Sequence, residues 1–361
     1  MNCNFINIRM KDKSNININD SKIFGLFKLS VGNNITNLNY NKNKKESSNQ
    51  NLEIIYNKKY VQKNIGKMIY KKIKYSNITK LVNEIFLFNN MKRAKIIVNN
   101  KQNDLKENII NIKLDLKIKI KFVDNIIYLE SMFEDCRSLF SVNNFQNINT
   151  KYLKTINNLF AGCYLLSYID DISNWNLNNI NSIRKLFYRC LSLEFLPNIS
   201  KWNVSNINYL SNLFYECSSL KNLPDISKWD LSNAIIICEM FAGCSSLEQL
   251  PDISNWNTEK IVDMSCLLCA CSSLKNLPDI SKWDLSNAIT IKGMFAGCLS
   301  LEQLPDISNW KTKNVYDMSY LFIECSKIKY LPDLSKWDLS NVKKISSMFH
   351  RCSNLKSLPD I

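Results

Sequence analysis

The chain has 361 residues, 45% of them hydrophobic, and a formal net charge of +15, which is enough for a sizeable core and, by length alone, about two domains. The charge is lopsided: residues 1–121 hold 25 Lys and Arg against 8 Asp and Glu, while the rest hold 22 against 24. No run of about 18 apolar residues occurs, so no transmembrane helix is predicted, and seven glycines leave little material for phosphate-cradling loops.

In chain order, residues 1–83 form a basic Asn/Lys/Ile-rich region, expected to be partly disordered, with 37–51 as its clearest loop. The start, MNCNFINIRM, has no apolar h-region, so no secretory signal is expected. Ile23–Leu29 and Leu52–Tyr56 read as strands. The basic bias has two readings, AT-rich codon use or an anion-binding surface. The lack of a tight Arg cluster disfavours nucleic acid as a partner. Residues 84–122 are expected to form a β-rich N-terminal cap. Ile85–Phe88 and Ala94–Val98 read as short strands between Asn-Asn turns. In Ile112 to Phe122, apolar residues alternate with Lys113, Asp115, Lys117, Lys119 and Lys121, which puts one face inward and a Lys row outward, as on a protected sheet edge.

From about residue 123 to 361 the chain repeats. Cys136, Cys163, Cys190, Cys217, Cys244, Cys271, Cys298, Cys325 and Cys352 are spaced 27 apart in the numbering, and every Trp and Pro keeps the same step. Eight complete units run from Cys136, with partial units at both ends, and such a period marks a solenoid. In the unit from Cys217, Leu220–Leu223 before Pro224 predicts a short strand. Ala234, Ile237, Met240, Phe241 and Cys244 are spaced for a helical turn, although a strand followed by one turn also fits. Stacked strands would place rungs about 4.8 Å apart.

Phe241-x-x-Cys244-x-x-Leu247-x-x-Leu250, Ile253-Ser254-x-Trp256 and Asn314-Val315-x-x-Met318-x-x-Leu321-Phe322-x-x-Cys325 carry a resemblance. The unit resembles the BspA-like leucine-rich repeats, in the tryptophan-containing surface-protein variant of unknown function. The resemblance implies an α/β solenoid, a leucine-rich-repeat-like array of short parallel strands and short helical turns. It also implies an interaction or adhesion surface and not an enzyme.

Candidate chemistry reduces to packing. The cysteine ladder reads as buried small hydrophobes. Cys238 and Cys266 occupy mostly polar columns, which predicts exposure on adjacent coils; Cys266, Cys269 and Cys271 lack the recognised spacing and ligand count of a zinc site. The single histidine, His350, reads as a solvated surface residue. The Asp column after proline (Asp225 to Asp360) reads as turn acceptors, with a calcium ladder as the alternative. No catalytic residue, metal ligand or cofactor is expected.

What varies from unit to unit is one column with alternating charge, Glu194, Lys221, Glu248, Lys275, Glu302 and Lys329, and the column beside it, Tyr168, Phe195, Asn222, Gln249, Asn276, Gln303 and Tyr330. The alternation fits pairing across coils or a relic of two-unit duplication. Tyr168, Phe195, Lys221, Asn222, Glu248, Gln249, Lys275, Asn276, Glu302, Gln303, Lys329 and Tyr330 are the candidate residues for a protein partner. The expected function is a non-catalytic interaction scaffold; a cell-surface adhesin is the alternative. A cytoplasmic location is the default, with the cell surface admitted by the resemblance. Oligomeric state is left open.

Overall fold

The computed structural model describes residues 51–56, 78–80, 82–90, 92–98, 101–104, 108–110 and 116–358. The readings at Ile23–Leu29, 37–50, Ile112–Asp115, Pro359 and Asp360 lie outside them.

Strands β1 (Asn51–Tyr56), β3 (Ala94–Val98), β4 (Lys101–Asp104), β6 (Leu116–Phe122), β7 (Leu139–Asn143) and β8 (Tyr168–Ile169) form one mixed sheet in the order β4-β3-β6-β1-β7-β8. β2 (Ile78–Lys80) and β5 (Asn108–Ile110) pair separately. All pairs in the large sheet are antiparallel except β7 with β8. Period two holds along β6: Ile118, Ile120 and Phe122 are buried and Lys119 is exposed. The expected edge is not one. β1 pairs with one side of β6 and β3 with the other, so its Lys row marks the wet face of an interior strand.

The strand expected at Ile85–Phe88 is instead helix α1 (Glu84–Asn90). Asn83 Oδ1 accepts the Ile85 N–H at 2.8 Å and caps it. Val82 and Phe86, four apart, are fully buried while Ile85 and Phe88 face solvent, a helical split that four apolar letters in a row conceal. α1 also covers the first coil. Asn83 N–H donates to Met132 O at 2.9 Å, and the buried Asn90 Nδ2 donates to Tyr128 O at 3.1 Å. The cap is therefore mixed and draws in β1 from the region set apart as 1–83.

Beyond β8 the coils are neither strands nor helices. Isolated parallel bridges link equivalent residues of successive coils, from Ser182–Tyr209 to Asp317–Lys344. The segment read as a helical turn divides its amides between two directions. Leu210, Asn212, Phe214 and Glu216 donate to Ile236, Cys238, Met240 and Ala242 of the next coil, at 2.7–2.9 Å. Leu213, Tyr215 and Cys217 donate three residues back within their own coil. This alternation needs a left-handed residue every fourth position. Asn212 and Glu216 have φ of 59° and 53°, and each later coil repeats the pair, from Glu239 and Gly243 to Ser347 and Arg351. An α-helix cannot contain such residues.

The strand expected at Leu220–Leu223 is absent for a definable reason. In β8 the ladder is completed by Asp170 N–H donating to Val142 O at 3.0 Å. Later coils place proline at that position, from Pro197 to Pro332, and proline has no N–H to give. Cross-coil bonding there falls to single contacts such as Lys221 N–H to Glu194 O at 3.3 Å.

Side chains complete the stacking. The Phe187 carbonyl accepts Cys190 N–H and the Cys217 thiol, both at 3.1 Å. Ile199 O accepts Trp202 N–H and, from the next coil, Trp229 Nε1–H at 3.2 Å. Asn206 Nδ2 donates to Asn178 O at 3.1 Å. The same three contacts recur along the array, from Cys163 to Cys352, Trp175 to Trp337 and Asn179 to Asn341. Phe rings stack with centroids 5.6–5.8 Å apart, as in Phe187–Phe214 and Phe295–Phe322. Trp175–Trp202 stack at 6.2 Å.

In the Asp column, Asp225 Oδ1 accepts Ser227 N–H at 2.9 Å, and Asp252, Asp279, Asp306 and Asp333 do the same two residues on. Asn198 fills the role for Ser200 in its own coil. The Ser hydroxyls and amides hold all five carboxyls below the usual Asp range.

Three outcomes follow from these contacts. Cys217→Ala loses a thiol donor and opens a small cavity, so it should cost about 1–2 kcal/mol in urea unfolding; Cys352→Ala, at a half-buried rung, should cost less than half of that. Gly297 has φ 69° and room for a Cβ, 3.5 Å from Ala270 Cα, so Gly297→Ala should cost about 1 kcal/mol of backbone strain alone, while Ala270→Gly, at φ 59°, should gain a few tenths to about 1. The Asp column's folded-state pKa values lie below the unfolded value of about 3.9, so its stabilisation is complete above about pH 4 and is lost as the pH falls further. Replacing all five Asp by Asn should lower the neutral-pH melting temperature modestly, since the amide accepts the same bonds without the charge, and flatten its acid decline.

Candidate interaction face

The two variable columns follow the last inward Leu of C-x-x-L. Their geometry depends on the proline just described: with little cross-coil bonding, the segment lies on the surface with its side chains free of the core. All twelve candidate residues are exposed, including Tyr168 at 51%, Phe195 at 62% and Tyr330 at 67%. Lys221 Nζ lies 3.0 Å from Glu194 and Lys275 Nζ 3.6 Å from Glu248, so charges pair from one coil to the next. At such exposure each pair is worth about 0–1 kcal/mol. Lys221 also stands 6.0 Å from the Phe195 ring centre. Tyr168 O–H donates to Asp170 at 2.9 Å, and this bond holds the phenol pKa above its usual value.

The structure brings Glu302, Gln303, Lys329 and Tyr330 together. They line a shallow groove of about 790 Å³, floored by Leu304, Leu331 and Pro332. Tyr168 and Phe195 lie on coils nearer the cap and take no part in it.

A second patch went unnoticed in the sequence. Arg137 and Arg189 flank the Tyr164 ring at 5.3 and 5.4 Å, and Tyr188 stacks on Tyr215 at 4.8 Å. Burial pushes the phenols of Tyr188 and Tyr215 up. Burial opposes the charge on Arg189, but Glu216, at 2.7 Å, holds it and the net shift is upward. The signal lies in the two columns before the ladder cysteine, with Tyr188, Tyr215 and Arg189, and in the one after it, with Arg137 and Tyr164.

The cysteines are placed differently from one expectation. Cys266 is buried, at 1% exposure, and Cys238 is half-buried. A Cβ at Gly293, in the next coil, would stand 3.2 Å from Cys266 Sγ. Cys269 is buried too, and burial raises its pKa to about 12. Burial likewise pushes the ladder thiols from Cys163 to Cys325 well up, which makes them poor nucleophiles. Among the described residues, no three His, Cys, Asp or Glu side chains converge as a metal site, and no helix is long and apolar enough to cross a membrane. His350 is exposed.

Comparison with known proteins gives three findings. A search of curated proteins finds no match. The solved structure of a leucine-rich repeat protein from Bacteroides ovatus aligns at 18% identity over 69% of this chain and 73% of that one, with a TM-score of 0.33, too low to carry an argument. The family described as "Mycoplasma protein of unknown function, DUF285" matches residues 103–196, 127–252, 192–305 and 245–359. These overlapping matches run through the cap strand β6 and the whole coil array, well over half of the sequence, and the chain belongs to that family.

Proposed function

We propose that this chain is a non-catalytic protein–protein interaction scaffold, a leucine-rich-repeat-like solenoid of BspA-like kind that binds its partner on the two variable columns. One contrast carries the reading. Inward positions repeat from coil to coil as Cys, Leu, Ile, Trp and Phe, whereas one exposed column alternates in charge from Glu194 to Lys329 and its neighbour passes from aromatic at Tyr168 and Phe195 through four amides to aromatic at Tyr330. Stacked repeats of this kind hold a constant core and vary one extended face for recognition. Exposed aromatics at Tyr168, Phe195 and Tyr330 are the residue types that anchor interfaces. The raised thiol pKa values and the isolated His350 support a role without chemistry.

The test is quantitative capture by the full chain, with bound proteins identified and their affinities measured. Substituting Tyr168, Phe195 and Tyr330 together by Ala should weaken a genuine partner at least about ten-fold and leave the melting temperature unchanged. Undiminished affinity for every captured protein would refute the assignment of this face.

A further inference from the structure

The charged column has a symmetry under reversal. From Glu194 it reads Glu194, Lys221, Glu248, Lys275, Glu302, Lys329, six alternating charges, followed by a seventh charge, Lys356, that breaks the alternation. All six side chains are exposed. The run of six is complementary to itself when reversed. Consider a two-fold axis in the plane of the face, perpendicular to the array and midway between the coils of Glu248 and Lys275. Each coil then meets its mirror position on a second copy, and each column meets its own column. Glu194 faces Lys329 of the other copy, Lys221 faces Glu302, and Glu248 faces Lys275.

The adjacent column, which differs in chemistry, obeys the same operation. Phe195 falls opposite Tyr330, Asn222 opposite Gln303, and Gln249 opposite Asn276. Aromatic meets aromatic and amide meets amide, with no charge set against an apolar ring. A two-fold axis running along the charge column would instead set each of its charges against its own copy, like charge on like charge. A slip of one coil would do the same to the charge column. The pattern therefore favours the reversed orientation, and full overlap is the register that pairs all six charges, which is how an isologous contact is specified.

We infer that this face docks against a second copy of the chain, antiparallel, through these two columns. The inference rests on the reading of the face as a binding surface and names its occupant. The chain's net charge of +15 is carried by residues 1–121, whereas residues 122–361, which hold the face, are nearly balanced at 22 basic against 24 acidic residues. Within each copy Lys221 already holds Glu194 at 3.0 Å and Lys275 holds Glu248 at 3.6 Å, so docking joins pairs into four-charge clusters. About a dozen residues per copy is fewer than the roughly 20–30 of a standard interface. The association is accordingly weak, with a Kd on the order of 1–100 μM.

Sedimentation velocity on the full chain from about 1 to 200 μM, in about 150 mM salt, reads it directly. The mass should rise from one 42.0 kDa chain toward two. The triple variant K221E/K275E/K329E and the triple variant E194K/E248K/E302K should each stay monomeric, and an equimolar mixture of the two should dimerise with about the affinity of the natural chain. Restoration on mixing is an effect that a merely structural role for these side chains would not produce. Should a triple variant lose its far-UV signal, E248K and K275E serve in its place. Each alone should weaken the dimer at least about ten-fold, since the dyad places each changed pair twice, and E248K/K275E should restore it. A natural chain that stays monomeric throughout, or a charge-reversed variant that still dimerises alone, overturns the inference. A monomeric chain that still captures a different protein through Tyr168, Phe195 and Tyr330 would leave the proposed function standing and remove only self-docking.

Discussion

Each coil in this protein leaves carbonyl oxygens pointing along the array in both directions, and the coils on either side have to cover them: the preceding coil with backbone amides, the following coil with side chains. Backbone amides cover some: Leu210, Asn212, Phe214 and Glu216 all donate forward into the following coil. Side chains cover others. The ladder thiols reach the Phe carbonyls, the indole N–H groups reach the Ile carbonyls and the Asn amides reach a third set. Buried acceptors without such donors would cost more than any one contact returns. Cys, Trp and Asn are therefore periodic because each is a donor of a particular length, and not only because it fills space.

Backbone strain is what this arrangement costs. Sending alternate amides forward and the rest back places residues such as Asn212, Glu216, Cys266 and Ala270 at positive φ. Glycine would relieve the strain, yet few of these positions carry it. Many of the residues that stand there form charged contacts between coils, as Arg189 does with Glu216 and Arg351 with Glu324. The column beside the cysteine thus gives up local comfort for contacts between coils.

Proline plays the opposite part on the recognition side. Where Asp170 supplies an N–H, β8 forms and pairs with β7; where proline stands instead, the ladder lapses and the segment lies on the surface. The same substitution that denies the coils a continuous strand leaves Phe195, Asn222 and their successors free to differ. One face is held rigidly by its hydrogen bonds while the other is left to vary, and the variable face is where the function is proposed to lie.

Period and inward positions could be read from the letters alone, because a core that recurs at a fixed step must repeat its side chains. The Asp turns were legible for a similar reason: their hydrogen bond is local to the turn and needs no distant partner. The exposure of Tyr168, Phe195 and Tyr330 followed from the same column reading. The letters could not reveal that Ile85–Phe88 is a helix, since its period shows only against the first coil that Val82 and Phe86 cover. Nor could they show that β6 lies inside the sheet, because its neighbour β1 is distant in sequence and lies in the polar region. The left-handed residues escaped notice because spacings of three and four fit a helix as well as a turn chain, and only the destination of each amide separates the two. Nor could the letters show that Cys266 is buried, because burial in a mostly polar column depends on what packs over it and not on the column's letters. Local chemistry and periodicity were thus determined by the sequence itself, whereas the direction of each hydrogen bond was decided by the tertiary structure, because that direction depends on which coil lies alongside.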